Sequence, residues 1–453
     1  MTRKLAVQLG AICFLGVTSP LLASSSNAHH ERLQSVAFVD VNVIPMNTET
    51  VLHHQTVLVE NNRIAQIGPV RDVKVSAAAL TVDGRNRYLM PGLTDFHVHF
   101  PDSAEDQLDE LELLVSNGIT TAVNMHGTPA ILDLRNRLRA ETLFGPTLYS
   151  TGPYVNEPEF TTPEQVRQAV IQQKAAGYDF IKIHGQLSSD AYKALIDTAR
   201  EQHIRVVGHV PANLGIDAVL GKQAMIVHAE EYLYSYFQRN RDLPTDPAEI
   251  DRMVKEVSER TARSGIWFSA TLAVFREIIF QVSDIDAVLQ RPEMRYLPPD
   301  VLATWQPDKN AYVTRWKIEK VPYFRSQYAI MQKLTKGLSD AGVPMLVGTD
   351  CIVTGVVPGF ALQDELDDLV GAGLTPYQVL HAATANAATF LGTADRTGTV
   401  SRGKQADLLL LDASPLEDIT KVSRRAGVML HGRWFTEDEL QHNLSALAAK
   451  YGK

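Results

Sequence analysis

The run LMPGLTDFHVHF, residues 89–100, decides how the rest of the chain is read. Its apolar texture predicts a strand, and strand side chains alternate between faces. His97 and His99 therefore emerge on the same side. Two neutral imidazoles converging at a strand end are good ligands for a borderline divalent ion such as zinc. Working outward, four more ligand-type residues each close a short apolar run: Lys182 in GYDFIKIHG, His209 in IRVVGHVP, His228 in AMIVHAEE and Asp350 in PMLVGTD. Six such side chains at successive strand ends predict a convergent site for two divalent metal ions.

The segments between these runs carry helical texture. Apolar strand candidates lie near 89–98, 119–125, 147–151, 179–184, 205–210, 224–229, 266–272 and 343–349, with amphipathic stretches between most of them. Ser189-Asp190 and Asp246-Pro247 open helices, and Gly177, Gly265 and Gly342 close them. Eight strands alternating with helices predict an α/β fold, a (β/α)8 TIM-like barrel over residues 89–391. A doubly wound sheet is the competitor, but no G-x-G-x-x-G loop follows the first strand. Residues 276–323 break the rhythm with Pro and aromatics, and read as a lid insertion over the catalytic end. Residues 36–88 and 392–437 show β-branched alternation broken by Asn61-Asn62 and His431-Gly432. Together they predict a small β-sandwich built from both ends of the chain.

The chain has 453 residues, 45 % of them hydrophobic, and a formal charge of −9. It has no Lys/Arg-rich stretch, which argues against nucleic acid as a partner. Arg3 and Lys4 precede an apolar run from Leu5 to about Val17, and Ser26-Asn27-Ala28 offers small residues for a signal peptidase. Residues 1–28 therefore read as a signal peptide of a secreted or periplasmic protein that has no membrane contact after cleavage. Of the two cysteines, Cys13 lies in that segment, so Cys351 has no intramolecular disulfide partner in the mature chain.

The run at 89–100 resembles the first barrel strand of the amidohydrolase superfamily, and the likeness extends from about Val39 to Trp434. The segments GLTPYQVLHAATANAATFLG and GTVSRGKQADLLLLDASPLEDI are similar to the C-terminal region of its imidazolonepropionase-like and prolidase-like members. The resemblance implies two divalent ions, with zinc the expected metal. It implies that His97, His99 and Asp350 hold one ion, that His209 and His228 hold the other, and that Lys182, carbamylated by CO₂, bridges them. It further implies that Asp350 takes the proton from the attacking water, and that the reaction is hydrolysis of a C–N amide bond. Two departures stand out. In GITTAVNMHG, His126 occupies a position where a small residue is usual, and His209 is followed by Val-Pro-Ala rather than the H-x-x-E of nucleoside deaminases.

Expectations for the substrate are thinner. A dipeptide or N-acyl amino acid needs a partner for its carboxylate, and Arg276, Tyr154, Tyr232 or His126 could supply contacts. The same metals would suit a lactonase or a phosphotriesterase-like ester hydrolase. A non-catalytic metal-binding protein is suggested by His29-His30, but simple capture needs neither Asp350 nor a bridging lysine. The expected partner is a small-molecule substrate, and a homo-oligomer stays open.

Overall fold

The computed structural model describes residues 35–238, 242–351 and 353–452. The expected signal peptide lies outside them. Five strands precede the first helix in one mixed sheet: β1 Val36–Val43, β2 Leu52–Glu60, β3 Arg63–Pro69, β4 Leu80–Asp83 and β5 Tyr88–Pro91. Eight parallel strands follow: β6 Leu93–Val98, β7 Ile119–Asn124, β8 Thr147–Ser150, β9 Phe180–Ile183, β10 Arg205–Gly208, β11 Met225–Val227, β12 Trp267–Ser269 and β13 Met345–Leu346. Three more, β14 Leu408–Leu411, β15 Arg425–Leu430 and β16 Arg433–Thr436, return to the first sheet.

That sheet joins both ends of the chain. Its order is β16-β15-β14-β5-β1-β2-β3, with β4 also on β1, and the splice is the antiparallel pairing of β5 with β14. Four ladder steps separate β1 from β16, about 19 Å in a flat sheet. Yet the rings of Phe38 and Trp434 meet edge to face with centroids 5.1 Å apart. The sheet therefore curls over a common core that includes Phe38, Val57, Ile64, Leu89, Leu410 and Met429. Two of its hairpins turn where φ is positive, at Asn61-Asn62 (48° and 62°) and at His431-Gly432 (49° and 77°). Asn and Gly tolerate that region, and such turns match the twist of paired strands.

The run LMPGLTDFHVHF is divided between two sheets at Pro91-Gly92, and does not form the single strand expected over residues 89–98. Tyr88–Pro91 pairs with β14, whereas Leu93–Val98 begins the parallel set. Gly92 is the joint: a Cβ there would lie 2.3 Å from Thr120 Oγ1.

The parallel strands form two ladders, β6-β7-β8 and β13-β12-β11-β10-β9. Backbone contacts cross both seams, through a Thr151–Phe180 bridge on one side and Phe96 N to Val347 O at 2.8 Å on the other. The two ladders share one core, with Phe96 and Val123 from the first and Phe180, Val207, Val227 and Leu346 from the second. The architecture is TIM-barrel-like, without one unbroken ladder around the ring. Ser188 and Asp246 cap the helices Ser189–Glu201 and Pro247–Ser264, and Gly177 and Gly265 end helices in left-handed conformation.

Residues 276–323, read from the sequence as an ordered lid insertion, are largely helical. They contain most of the helix Leu272–Leu289, then Pro292–Tyr296, Pro299–Thr304, Ala311–Arg315 and Ile318–Lys320 as short helical turns. Ile285, Val288, Met294, Leu297 and Trp305 bury together with Val357, so the stretch packs as a layer with its own apolar core. No helix among the described residues is long and apolar enough to cross a membrane.

Candidate active site

The first parallel strand is held at its end by a carboxylate. Asp95 accepts from His97 N at 3.1 Å, Thr349 N at 3.0 Å and Thr349 Oγ1 at 2.7 Å. Asp350 N donates to His97 O at 2.7 Å. These bonds tie the end of β6 to the segment after β13, so both ligand-bearing ends keep one relative position. Gly348 permits the approach, because a Cβ there would stand 2.7 Å from His97 Cβ. On the other side of the ring, Gly208 has φ of 126°, and a Cβ on it would meet Ile183 O at 2.2 Å and Lys182 Cδ at 3.0 Å.

The side chains converge as the strand-end reading expects. Asp350 Oδ1 lies 2.9 Å from His99 Nε2 and 3.1 Å from His97 Nε2, and the two Nε2 atoms are 3.2 Å apart. His97, His99 and Asp350 thus offer ligand atoms all within 4.8 Å of one another. His228 Nε2 lies 3.9 Å from Asp350 Oδ2, and its ring centroid is 4.9 Å from that of His97 and 4.6 Å from that of His209. Three consecutive strand ends carry positive φ on residues other than glycine: His228 (71°), Thr271 (48°) and Asp350 (57°). Such backbone is uncommon and concentrates at functional sites. At His228 it accompanies a 2.6 Å hydrogen bond between Nδ1 and Thr271 Oγ1, which fixes the ring.

Burial sets the charge states. It pushes the imidazoles of His97 and His209 well below their ordinary value and brings His228 down to about 3, so all three are neutral and carry lone pairs. Burial would raise Asp350, but the hydrogen bond from His99, with the electrostatic pull of the surrounding imidazoles and Lys182, outweighs it and holds the carboxyl low. Lys182 is 0 % exposed and its Nζ has no hydrogen-bond partner. Burial draws that ammonium down to about 8. His97 Nδ1 and His209 Nδ1 are also buried without partners.

These groups line a cavity of about 150 Å³. Tyr154 and His184 form part of its rim with ring centroids 4.5 Å apart, and His126 stacks on Tyr154 at 4.1 Å without itself lining the cavity. Val274, Phe275 and Val353 make an apolar wall, and Tyr312 reaches in from the helical layer. A second hollow, of about 210 Å³, lies at the opposite strand ends and is lined by Thr94, Thr120 and Thr147 with Arg396 and Asp407, without imidazoles.

Two expected substrate contacts lie elsewhere. Arg276 is held by Asp364 at 2.6 Å and Asp368 at 2.8 Å, so two carboxylates within the protein already occupy its guanidinium. Tyr232 is 0 % exposed, bonded through its hydroxyl to Thr261 and packed against Phe268, and belongs to the core. The sequence reading missed Glu230, which lines the cavity, and Thr271, which orients His228. Glu230 and Glu231 stand directly after His228-Ala229 in the sequence, but adjacency alone does not say which of them faces inward. In the structure Glu231 Oε2 accepts from Val210 N at 2.8 Å, and Glu230 faces the cavity.

A TIM-barrel-like fold with histidines and a carboxylate gathered at the parallel strand ends defines a class of site suited to hydrolysis. The Amidohydrolase family matches residues 88–435, and the chain belongs to that family. An ochratoxinase of Aspergillus niger is 23 % identical over 449 aligned positions, covering 84 % of this chain and 82 % of that one. A dihydroorotase of Pediococcus pentosaceus is 36 % identical over only 106 residues, so the match spans about a quarter of that relative (24 %) and 22 % of this chain. Among solved structures, a bottromycin amidohydrolase superposes with a TM-score of 0.74 at 23 % identity, covering 93 % of this chain and 92 % of the other. A Xaa-Pro dipeptidase with methionine in its active site gives 0.68 at 19 % identity, covering 89 % and 100 %. At these identities the structural likeness bears on fold alone.

Proposed function

We propose that this protein is a metal-dependent hydrolase that cleaves a C–N amide bond in a small substrate of the dipeptide or N-acyl amino acid type. The observation that carries the reading is Lys182: an amine with no exposure and no hydrogen-bond partner, set among neutral imidazoles and beside Asp350. An isolated buried ammonium is costly. Once the ammonium has given up one proton, the free amine Nζ adds to CO₂ and loses a second, so that a carbamate, an anionic oxygen donor, replaces the cation. The donor set then fits two divalent ions, with His97, His99 and Asp350 toward one, His209 and His228 toward the other, and Lys182 between them. Zinc suits this mixture of imidazole and carboxylate. We read the two seams between the parallel ladders as closing one (β/α)8 barrel around this centre.

Bound there, such ions supply Lewis-acid polarisation of a carbonyl and make water a stronger acid. The chain supplies the rest. Asp350 accepts the proton of the attacking water and returns it to the leaving nitrogen. Thr271 holds the His228 ring through Nδ1. Tyr154 and His184 orient the substrate at the rim, and Val274, Phe275 and Val353 keep bulk water from the reacting carbonyl. The basic and apolar start of the sequence supports export to the periplasm or medium.

Zinc-loaded protein assayed against dipeptides and N-acyl amino acids, with a lactone and a phosphotriester as controls, tests the reading. Amide turnover that disappears on chelation is the expected result, and turnover of the esters alone overturns the choice of bond. Elemental analysis should find about two ions per chain, and at most one after zinc loading removes the two-metal assignment. Lys182→Ala should lose most activity and regain part of it with short carboxylic acids, which can occupy the vacated bridge.

A further inference from the structure

The charge inside the cavity is lopsided. If the six ligand-type residues are committed to ions, as the proposed function requires, the acidic side chain that remains on the lining is Glu230. No arginine faces the cavity among the described residues, and its one lysine is Lys182. The guanidinium nearest in the expectation, Arg276, is clamped between Asp364 and Asp368. A substrate carboxylate therefore finds no free cationic side chain on these walls, whereas a substrate cation finds a carboxylate.

The setting of Glu230 is that of a receptor for a cation. It begins the short helix Glu230–Tyr232 directly after β11, so its backbone is fixed to a strand end. The Tyr234 side chain stands beside its carboxyl. A carboxylate has about four acceptor positions, so several stay open toward the cavity. Tyr312 and Phe275 bring aromatic surface to the same hollow. A carboxylate with aromatic faces around it is the chemistry that selects ammonium groups. Val274 and Val353 add an apolar wall, suited to a hydrocarbon side chain beside the charge.

We infer that Glu230 is a specificity-determining residue that pairs with an ammonium group on the substrate, which makes the preferred substrate an amide bearing a free amine and an apolar side chain. The inference rests on the proposed hydrolytic reading for the location of the site, and it is tested by binding rather than by turnover. Zinc-loaded wild type and Glu230→Gln are titrated calorimetrically with L-leucinamide and with N-acetyl-L-leucinamide, which differ in the charged amine. A hydrogen-bonded charge contact predicts that wild type binds the free amine roughly tenfold more tightly or better. In Glu230→Gln that ratio should fall to about one, within the scatter of the measurement. Equal affinities in wild type overturn the inference. So does a preference that survives in Glu230→Gln, since the amine would then be held by something else. Glu230→Asp keeps the charge and should still favour the free amine, and an Asp variant that favours the acetylated compound also overturns it. An amine preference with no amide cleaved would refute the hydrolase reading alone. Amides cleaved with no amine preference would refute the role of Glu230 alone.

Discussion

Arg276 and Lys182 are both drawn in from solvent, the first partly and the second fully, and their surroundings are opposite. Arg276, on the helix Leu272–Leu289, meets two carboxylates from the helix Phe360–Gly371 at 2.6 and 2.8 Å, and nearby Arg291 bonds Glu277 at 2.8 Å. Lys182, at the end of β9, has three neutral imidazoles and Asp350 around it and no hydrogen bond of its own. The first arrangement pairs its charges within the chain and joins two helices. The second, on the function proposed above, is completed by CO₂ and metal ions. A buried cation without an ion pair marks a place for an outside partner, and one clamped between carboxylates marks scaffold.

The sharpest way to break this contrast is Asp350→Asn. The amide keeps the shape and tolerates the positive φ at this position, but takes no proton at neutral pH. A fall in kcat of about 10²–10⁴ is expected, with melting temperature nearly unchanged. Near-normal kcat with metal retained would move the proton acceptor elsewhere. Arg276→Met should do the reverse. It leaves carboxylates without their cation and should cost about 3 kcal/mol in denaturant unfolding, the low end for a broken buried pair because Asp364 is partly exposed. KM for carboxylate-bearing substrates should not change, and a rise confined to them would return Arg276 to the substrate site.

Lys182→Met sharpens the contrast at a smaller scale. It replaces an unpartnered amine with an apolar chain of similar length, so the metal-free protein should gain about 1–3 kcal/mol while activity is lost. Destabilisation of the metal-free form would mean that Lys182 has a structural partner. The smallest effect is expected at Tyr232→Phe, where loss of the Thr261 hydrogen bond should cost about 1 kcal/mol and leave KM alone. A changed KM would place that tyrosine at the cavity after all.

The same contrast explains what could be read before the structure. Ligand-type residues announce themselves because each ends a short apolar run, and a costly side chain at the end of such a run has few bland explanations. Hairpin turns at Asn61-Asn62 and His431-Gly432 were legible because few residues accept positive φ. Arg276 was not legible, since its partners lie 88 and 92 positions further on, and an unpaired arginine on paper looks available for substrate. Tyr232 and Tyr154 look alike in sequence, and only the turn of backbone after β11 sends the first into the core. The division of the run falls at Pro91-Gly92, a breaker dipeptide between two apolar stretches, and the close approach of Gly92 to the Thr120 side chain is visible only in the fold.

The splice between β5 and β14 has a consequence for how the molecule is made. Leu89 and Met90 are synthesised more than three hundred residues before Leu410 and Leu409, the residues they face. At ribosomal speeds of about 5–20 residues per second, that edge waits on the order of tens of seconds for its neighbour. The early hairpin of β2 and β3 can form at once, but the sheet it belongs to closes last, after the parallel strands have had time to assemble. Closing so long a loop adds little to the equilibrium cost, which grows only with the logarithm of its length, but it slows the search. During that wait an open, apolar β edge is presented to the surroundings, so assembly in the cell should be most vulnerable to aggregation at the chain's two ends, far from any chemistry the site performs.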